Sequence, residues 1–311
     1  MATSRAVKKR IRSTENISQI TKAMEAVSAV KMRKSEEFAL RSRPYAMAAL
    51  EILKNLSGKI DEADFHSPFL EKRDVKKICL LVVASDKGLC GSFNSNVLRK
   101  AVEFINNRVK EGREVEIVAV GRKSADFFRK RGFRIFREVT GAGDFGAKDE
   151  TNFLAELLSD AYKNGEYGEV YAAYTHFLSV MKQETVVEKI LPFTAESLKK
   201  RIEEIIPIQG KYSGASGILG GSGEGVRDYV FEPSIKAVLN ELLPMLLETQ
   251  VYHVILEANA SEHSARMIAM KNASDNAGEL IDALTLSYNK ARQGQITKEL
   301  TEITAGTAAL E

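Results

Sequence analysis

The stretch "NAGELIDALTLSYNKAR", Asn276 to Arg292, places Ala277, Ile281, Leu284, Tyr288 and Ala291 in steps of four, three, four and three. That rhythm lays one narrow apolar stripe along a helix, a heptad-like seam of the kind that packs against a second helix. Around it the helical pattern runs from Ser234 to about Ala309, weakly interrupted by Gly278, Gly294 and Gly306 and broken by Pro244 near its start. At 1.5 Å per residue such a helix is roughly 110 Å long, more than a globular core can cover. A second long helix is needed.

The start of the chain supplies one. "RIRSTENISQITKAMEAVSAVKMRKSEEFALRSRPYAMAALEILKNLSGK" has no glycine before Gly58 and a single proline, Pro44, which marks an expected kink. Its apolar residues recur at Ile17, Ile20, Met24, Val27 and then Val30 or Lys31, which predicts the facing stripe. If residues 3–57 are helical they span roughly 80 Å. The two stripes predict an antiparallel coiled coil of the terminal helices, with the rest of the chain inserted between them.

The insert reads as α/β. "VKKICLLVVAS", "REVEIVAVG", "FRIFREVTG", "EVYAAYTHFLS" and "QETVVEKILPF" are strand-like, while "NSNVLRKAVEFINNRVKEG", "RKSADFFRKRG" and "ETNFLAELLSDAYKNGE" are helical. Strands alternating with helices imply right-handed crossovers and a mainly parallel sheet covered on both faces. The expected organisation is an N-terminal helix over 1–58, a Rossmann-like domain over 75–193, a flexible connection over 194–232 and a C-terminal helix over 233–311. The connection contains "KYSGASGILGGSGEG", whose glycine and serine density predicts a loop.

Composition narrows the chemistry. The chain is 44% hydrophobic and 28% charged with a net charge of +3, values of an ordinary foldable protein. Arg5, Lys8, Lys9, Arg10 and Arg12 precede the first acid, Glu15, and form either a solvated helix face or a surface for an acidic partner. Cys79 and Cys90 are too few to staple 311 residues. The longest apolar run, Ile78 to Ala84, is far short of the roughly 20 residues of a membrane span.

"SDKGLCGSFN", Ser85 to Asn94, follows the first strand where phosphate loops sit, but its G-x-x-G spacing matches neither G-x-G-x-x-G nor G-x-x-x-x-G-K-[ST]. A structural turn is the better reading. His66, His176, His253 and His263 are scattered without metal-ligand spacing, and "ASEHSARM" reads as a surface hydrogen-bond cluster of Glu262, His263 and Arg266. Neither a catalytic group nor a cofactor site is indicated.

Three of these stretches, "ITKAMEAVSAVKMRK", "SDKGLCGSFN" and "ASEHSARMIAMKNASDNAGELIDALTLSYNKARQGQITKELTEI", together resemble the gamma-subunit family of F-type ATP synthases. The resemblance covers essentially the whole chain, in order. It implies a coiled-coil shaft rotating inside a hexamer of alternating alpha and beta subunits, with the sheet domain in a foot that binds epsilon and the c-subunit ring. Catalysis then belongs to the beta subunits, and this chain carries no catalytic, cofactor or metal site.

By the same resemblance Met24 faces the catch loop of a beta subunit, and Arg292, Gln293, Thr297 and Glu299 are polar contact points. Lys31, Arg33 and Lys34 would face acidic loops of beta, while Leu300 and Ile303 belong to the end of the shaft, whose uncharged tip enters an apolar sleeve. Gly294 stands where the family usually has Ala, a change that costs a helix about 0.5–1 kcal/mol. The implied location is the cytoplasmic side of a bacterial inner membrane, reached through the c ring, with no cleaved leader expected. The alternatives are a nucleic-acid-binding coiled coil using the basic N-terminal helix, and a nucleotide-dependent enzyme.

Overall fold

The computed structural model describes residues 4–57, 67–71, 73, 75–141, 148–193, 232 and 234–308. The glycine-rich connection expected over 194–232 lies outside them except for Glu232, as does the extreme tip beyond Ala308. Two compact units are present, one formed by Met1–Val30 with Ser264–Glu311 and the other by Lys31–His263. The two long helices, α1 (Ser4–Ser57) and α5 (Ile235–Ala308), each contribute to both units.

The larger unit is built on strands β1 (Lys77–Val83), β2 (Glu114–Val120), β3 (Ile135–Val139), β4 (Glu169–Phe177) and β5 (Gln183–Leu191), in the order β3-β2-β1-β4-β5. All pairs are parallel except β4 with β5, an antiparallel hairpin at the edge. Strands β1, β2 and β4 thus lie inside the sheet, where an uninterrupted apolar run such as "ICLLVV" suits burial on both faces. Ile78, Leu80 and Val82 pack with Val97, Ala101 and Ile105 of α2 (Phe93–Lys110) and Ala125 and Phe128 of α3 (Arg122–Lys130). Cys79, Leu81 and Val83 face the other way, into a core shared with Leu154, Leu158 and Tyr162 of α4 (Lys148–Lys163).

That second core is completed by the terminal helix itself. Leu243, Leu247, Val251, Val254, Ile255 and Ala258 of α5 are buried in it. This corrects the expectation that Pro244 breaks the helix, since α5 is continuous from Ile235 through Pro244. A helix-interior proline removes a backbone hydrogen bond, but Leu243, Leu246 and Leu247 beside it are almost fully buried and hold the turn.

The smaller unit contains the coiled-coil seam. On α5 the expected row is present, with Ala277 buried and Ile281, Leu284, Tyr288 and Ala291 half-buried among exposed neighbours. On α1 the expected row is wrong. Ile17, Ile20, Val27 and Val30 are 51–59% exposed, and the buried positions are Val7, Thr14, Thr21 and Ser28, with Ile11 and Ser18 half-buried between them. These still form a strict seven-residue repeat. Hydroxyls can occupy it because each is satisfied within its own helix: Thr14 donates to the Arg10 carbonyl at 2.9 Å, Thr21 to Ile17 at 3.0 Å and Ser28 to Met24 at 2.7 Å.

The helices run antiparallel. Ser18 and Ser274 meet with their hydroxyl oxygens 3.5 Å apart. Stepping back fourteen residues from Ser18 to the start of α1 at Ser4 carries the partner forward to Tyr288, and from Arg292 to Ala305 every α5 residue is exposed. In a parallel pair α1 would still be alongside at that level.

Candidate functional site

The loop after β1 is closed upon itself. The Ser85 N–H donates to Asn94 Oδ1 at 3.0 Å, and Asn94 Nδ2 donates to Ser85 Oγ at 2.7 Å and to Cys90 Sγ at 3.1 Å. Asp86 projects to the start of α3, where its carboxylate accepts the Arg122 N–H at 2.8 Å and the Gly141 N–H at 3.0 Å. A helix N-terminus attracts phosphate because its amides are unsatisfied and its dipole is positive there. Here a carboxylate of the chain already lies against it. The geometry supports a structural turn over a phosphate site, through a residue, Asp86, whose role sequence spacing did not reveal.

Just beside that loop stands Gly121, at φ 84° between β2 and α3. A Cβ there would lie 1.9 Å from the Ala84 carbonyl oxygen, so the close approach of the two strand ends requires glycine.

The remaining candidates lie on helix surfaces. Met24 and Lys31 are half-buried, and Arg33 and Lys34 are exposed, all on α1. Arg292, Gln293, Thr297, Glu299, Leu300 and Ile303 are all exposed on α5. The structure does not bring Met24 together with the α5 set. By the Ser18–Ser274 register Met24 is level with Ile268, and Arg292 lies twenty-four residues, roughly 36 Å, further along.

The α5 end has a consistent surface chemistry. Ile296, Leu300 and Ile303 are 48%, 58% and 64% exposed. Between them Thr297 donates to the Gln293 carbonyl at 3.0 Å, Thr301 to Thr297 at 2.8 Å and Thr304 to Leu300 at 3.0 Å. Glu299 accepts from Gln295 Nε2 at 3.0 Å on the same helix. Three hydroxyl protons are therefore engaged within the helix, so these threonines offer no outward donor. The sequence alone shows the threonines but not where their protons point.

The histidines also depart from expectation. His263 and Arg266 are buried, 2% and 7% exposed, so "ASEHSARM" is no surface cluster. His176 at the end of β4 and His253 on α5 converge on one carboxylate, with Nδ1 atoms 2.6 Å and 3.1 Å from the two oxygens of Glu257. The i,i+4 spacing of His253 and Glu257 is visible in sequence, whereas the arrival of His176 is a product of the fold. Among the described residues no group of three or more potential ligands is arranged for a metal ion, and no helix is long and apolar enough to cross a membrane.

Comparison with known proteins agrees with this architecture. A family model described as ATP synthase matches residues 3–310. The ATP synthase gamma chain of Chloroflexus aurantiacus is 41% identical over 311 residues, covering all of this chain and 99% of its own length. That of Pelotomaculum thermopropionicum is 41% identical over 313 residues, with both chains fully covered. Among solved structures, a chain from the rotor of the Euglena gracilis mitochondrial ATP synthase has a TM-score of 0.59 at 19% identity, covering 94% of this chain and 98% of that one. A chain from the central stalk and c-ring structure of the Tetrahymena thermophila enzyme has a TM-score of 0.56 at 23% identity, covering 82% and 99%. These two show the shared fold, and none of the matches supports a nucleic-acid-binding coiled coil. With a full-length family match and relatives near 40% identity across their whole length, the chain belongs to the ATP synthase gamma-chain family.

Proposed function

We propose that the chain is the central rotor shaft of an F-type ATP synthase, a non-catalytic subunit that couples ion-driven rotation to ATP synthesis or hydrolysis on neighbouring subunits. The observation that carries this reading is the end of α5. A helix that continues past its own coiled-coil partner, exposed from Arg292 to Ala305 and carrying Ile296, Leu300 and Ile303 outward, is built to be received by another surface. Large apolar side chains left in water favour association, at about 25 cal/mol per Å² buried.

The receiving surface is that of the alpha and beta subunits, by family membership. Arg292, Gln293 and Glu299 supply its polar contacts, Thr297 lies in the same row with its hydroxyl proton engaged by the Gln293 carbonyl, and Met24, Lys31, Arg33 and Lys34 supply its contacts along α1. Exposed ion pairs contribute little each and are screened within about 10 Å, which suits a surface that moves past its partners. The expected units are the N-terminal and C-terminal shaft helices over 1–58 and 233–311, the sheet domain over 75–193 as the foot for epsilon and the c ring, and the connection over 194–232. The chain is then held peripherally at the cytoplasmic face of a bacterial inner membrane, through the c ring and with protons as the coupling ion.

Co-purification at native expression tests this. Recovery in one large complex with alpha and beta chains supports the shaft, and a chain found only as a monomer or dimer overturns it. Leu300→Asp places a charge where an apolar contact is required, and is expected to reduce both complex yield and hydrolysis.

A further inference from the structure

The contact between α5 and the sheet is apolar over most of its length, through Leu243, Leu247, Val251, Val254, Ile255 and Ala258. Apolar packing is strong but non-directional, so it holds a helix against a sheet more firmly than it fixes the helix's rotation or axial register. Among the described residues, directional links from Glu257 and Ser261 lie at the far end of this contact. The Glu257 carboxylate takes His176 Nδ1 at 2.6 Å, and Ser261 Oγ donates to the Thr175 carbonyl at 3.1 Å. Glu257 and Ser261 are four residues apart and so share one face of α5, while Thr175 and His176 are consecutive on β4.

Both partners are well shielded. Glu257 is 8% exposed and Ser261 fully buried. His253, one turn before Glu257 on the same helix, takes the second carboxylate oxygen at 3.1 Å and thereby fixes the plane of the carboxylate. A carboxylate held on both oxygens in a largely water-excluded place is stiff, because each bond strengthens as the surrounding dielectric falls. Both links lie within the larger unit, Glu257 six residues and Ser261 two residues before its last residue, His263.

We infer that Glu257 is a positioning residue for torque transfer: with Ser261 it pins the stretch of α5 within the larger unit, in rotation and register, to the end of β4, so that this stretch and the sheet turn together. This deepens the rotor reading and rests on it. Without the pin, the apolar face would still keep α5 on the sheet, but a twisting load could roll the helix against it.

The test compares wild type, Glu257→Ala and Glu257→Gln in the complete complex reconstituted into vesicles, measuring steady-state ATP hydrolysis and ATP-driven proton pumping on the same samples. Glu257→Ala is expected to keep most of its hydrolysis and to lose at least about half of the protons pumped per ATP. Glutamine preserves a side chain of the same length that accepts from one imidazole and donates to the other, so Glu257→Gln is expected to restore most of that ratio. An unchanged ratio in Glu257→Ala overturns the pin, and so does a glutamine variant as poorly coupled as alanine. Thermal unfolding of each purified chain separates a folded, uncoupled variant from an unfolded one. If the wild-type chain does not assemble into a pumping complex at all, it is the rotor reading that fails.

Discussion

Ser18 of α1 and Ser274 of α5 meet across the coiled-coil seam with their hydroxyl oxygens 3.5 Å apart. Two side chains of this size facing each other set a close approach of the helices, and the long distance makes the bond itself weak. Ser274→Ala is therefore expected to change stability by less than about 0.5 kcal/mol. Ser274→Leu, which must force the seam open, should destabilise by about 1–3 kcal/mol. Urea unfolding of the full chain, followed by circular dichroism, distinguishes the two, and equal effects would mean that the seam is loosely packed there.

Gly121→Ala offers a sharper contrast. Its new methyl would meet the Ala84 carbonyl oxygen at 1.9 Å in a left-handed backbone, and a loss above about 3 kcal/mol is expected. Gly112 has a similar φ of 74° with nothing within 4 Å, so Gly112→Ala should lose only about 1 kcal/mol. Their unfolding midpoints measure this difference, and a Gly121→Ala loss no larger than that of Gly112→Ala would remove the clash from the account.

Acid should weaken the sheet unit through two carboxylates. Burial alone would raise Glu116, but hydrogen bonds from Tyr167 and Lys77 outweigh it and hold its pKa below the ordinary value of 4.5. Glu169 behaves likewise, with burial opposed by Lys189 and Tyr171. A depressed folded-state pKa contributes stability that is present above the unfolded value and lost as pH falls through the folded one. Urea midpoints should thus decline from about pH 4.5 downward, and Glu116→Gln should flatten that decline. An undiminished slope in the variant would remove Glu116 from the account.

These residues show what a linear reading can and cannot see. The strands were legible because runs such as "ICLLVV" are continuous, and the α5 seam because Ala277 to Ala291 are apolar at heptad spacing. The α1 seam was not legible. Thr14, Thr21 and Ser28 look solvent-facing until their hydroxyls are found bonded to their own helix, and Ile17, Ile20, Val27 and Val30 look like core although they face outward. Hydrophobicity marks only the outward stripe of α1, because the buried one is largely hydroxyl-bearing. Likewise the Glu257 cluster depends on where β4 ends, and no spacing between residues 176 and 257 encodes that.

The loop after β1 predicts an absence of nucleotide affinity. With Asp86 accepting the Arg122 and Gly141 amides, an incoming phosphate would have to displace a like charge. Calorimetry of the full chain with ATP and with NAD is expected to show no binding, and a micromolar dissociation constant for either would overturn this. Asp86→Ala should cost about 1 kcal/mol, the usual loss for a helix cap.

At the end of α5 the threonine protons are directed onto the helix's own carbonyls, so their removal should matter little. Replacing Thr297, Thr301 and Thr304 together by valine is expected to leave hydrolysis by the assembled complex within about twofold of wild type. Asparagine at all three positions adds outward donors and acceptors and should slow turnover more strongly. A valine triple variant as slow as the asparagine one would show that the hydroxyls bond to the partner instead.

The inward turn of those protons has a bearing on angle as well as on affinity. A hydrogen bond rewards one orientation and penalises the next, so a ring of outward donors would divide a full revolution into detents. Methyl against methyl varies far less with angle, because dispersion depends on distance and has no preferred direction about the axis. On the rotor reading, Thr301 and Thr304 then add little angular preference at the end of the shaft, and any preferred angle there is left to exposed charged neighbours such as Arg292 and Glu299.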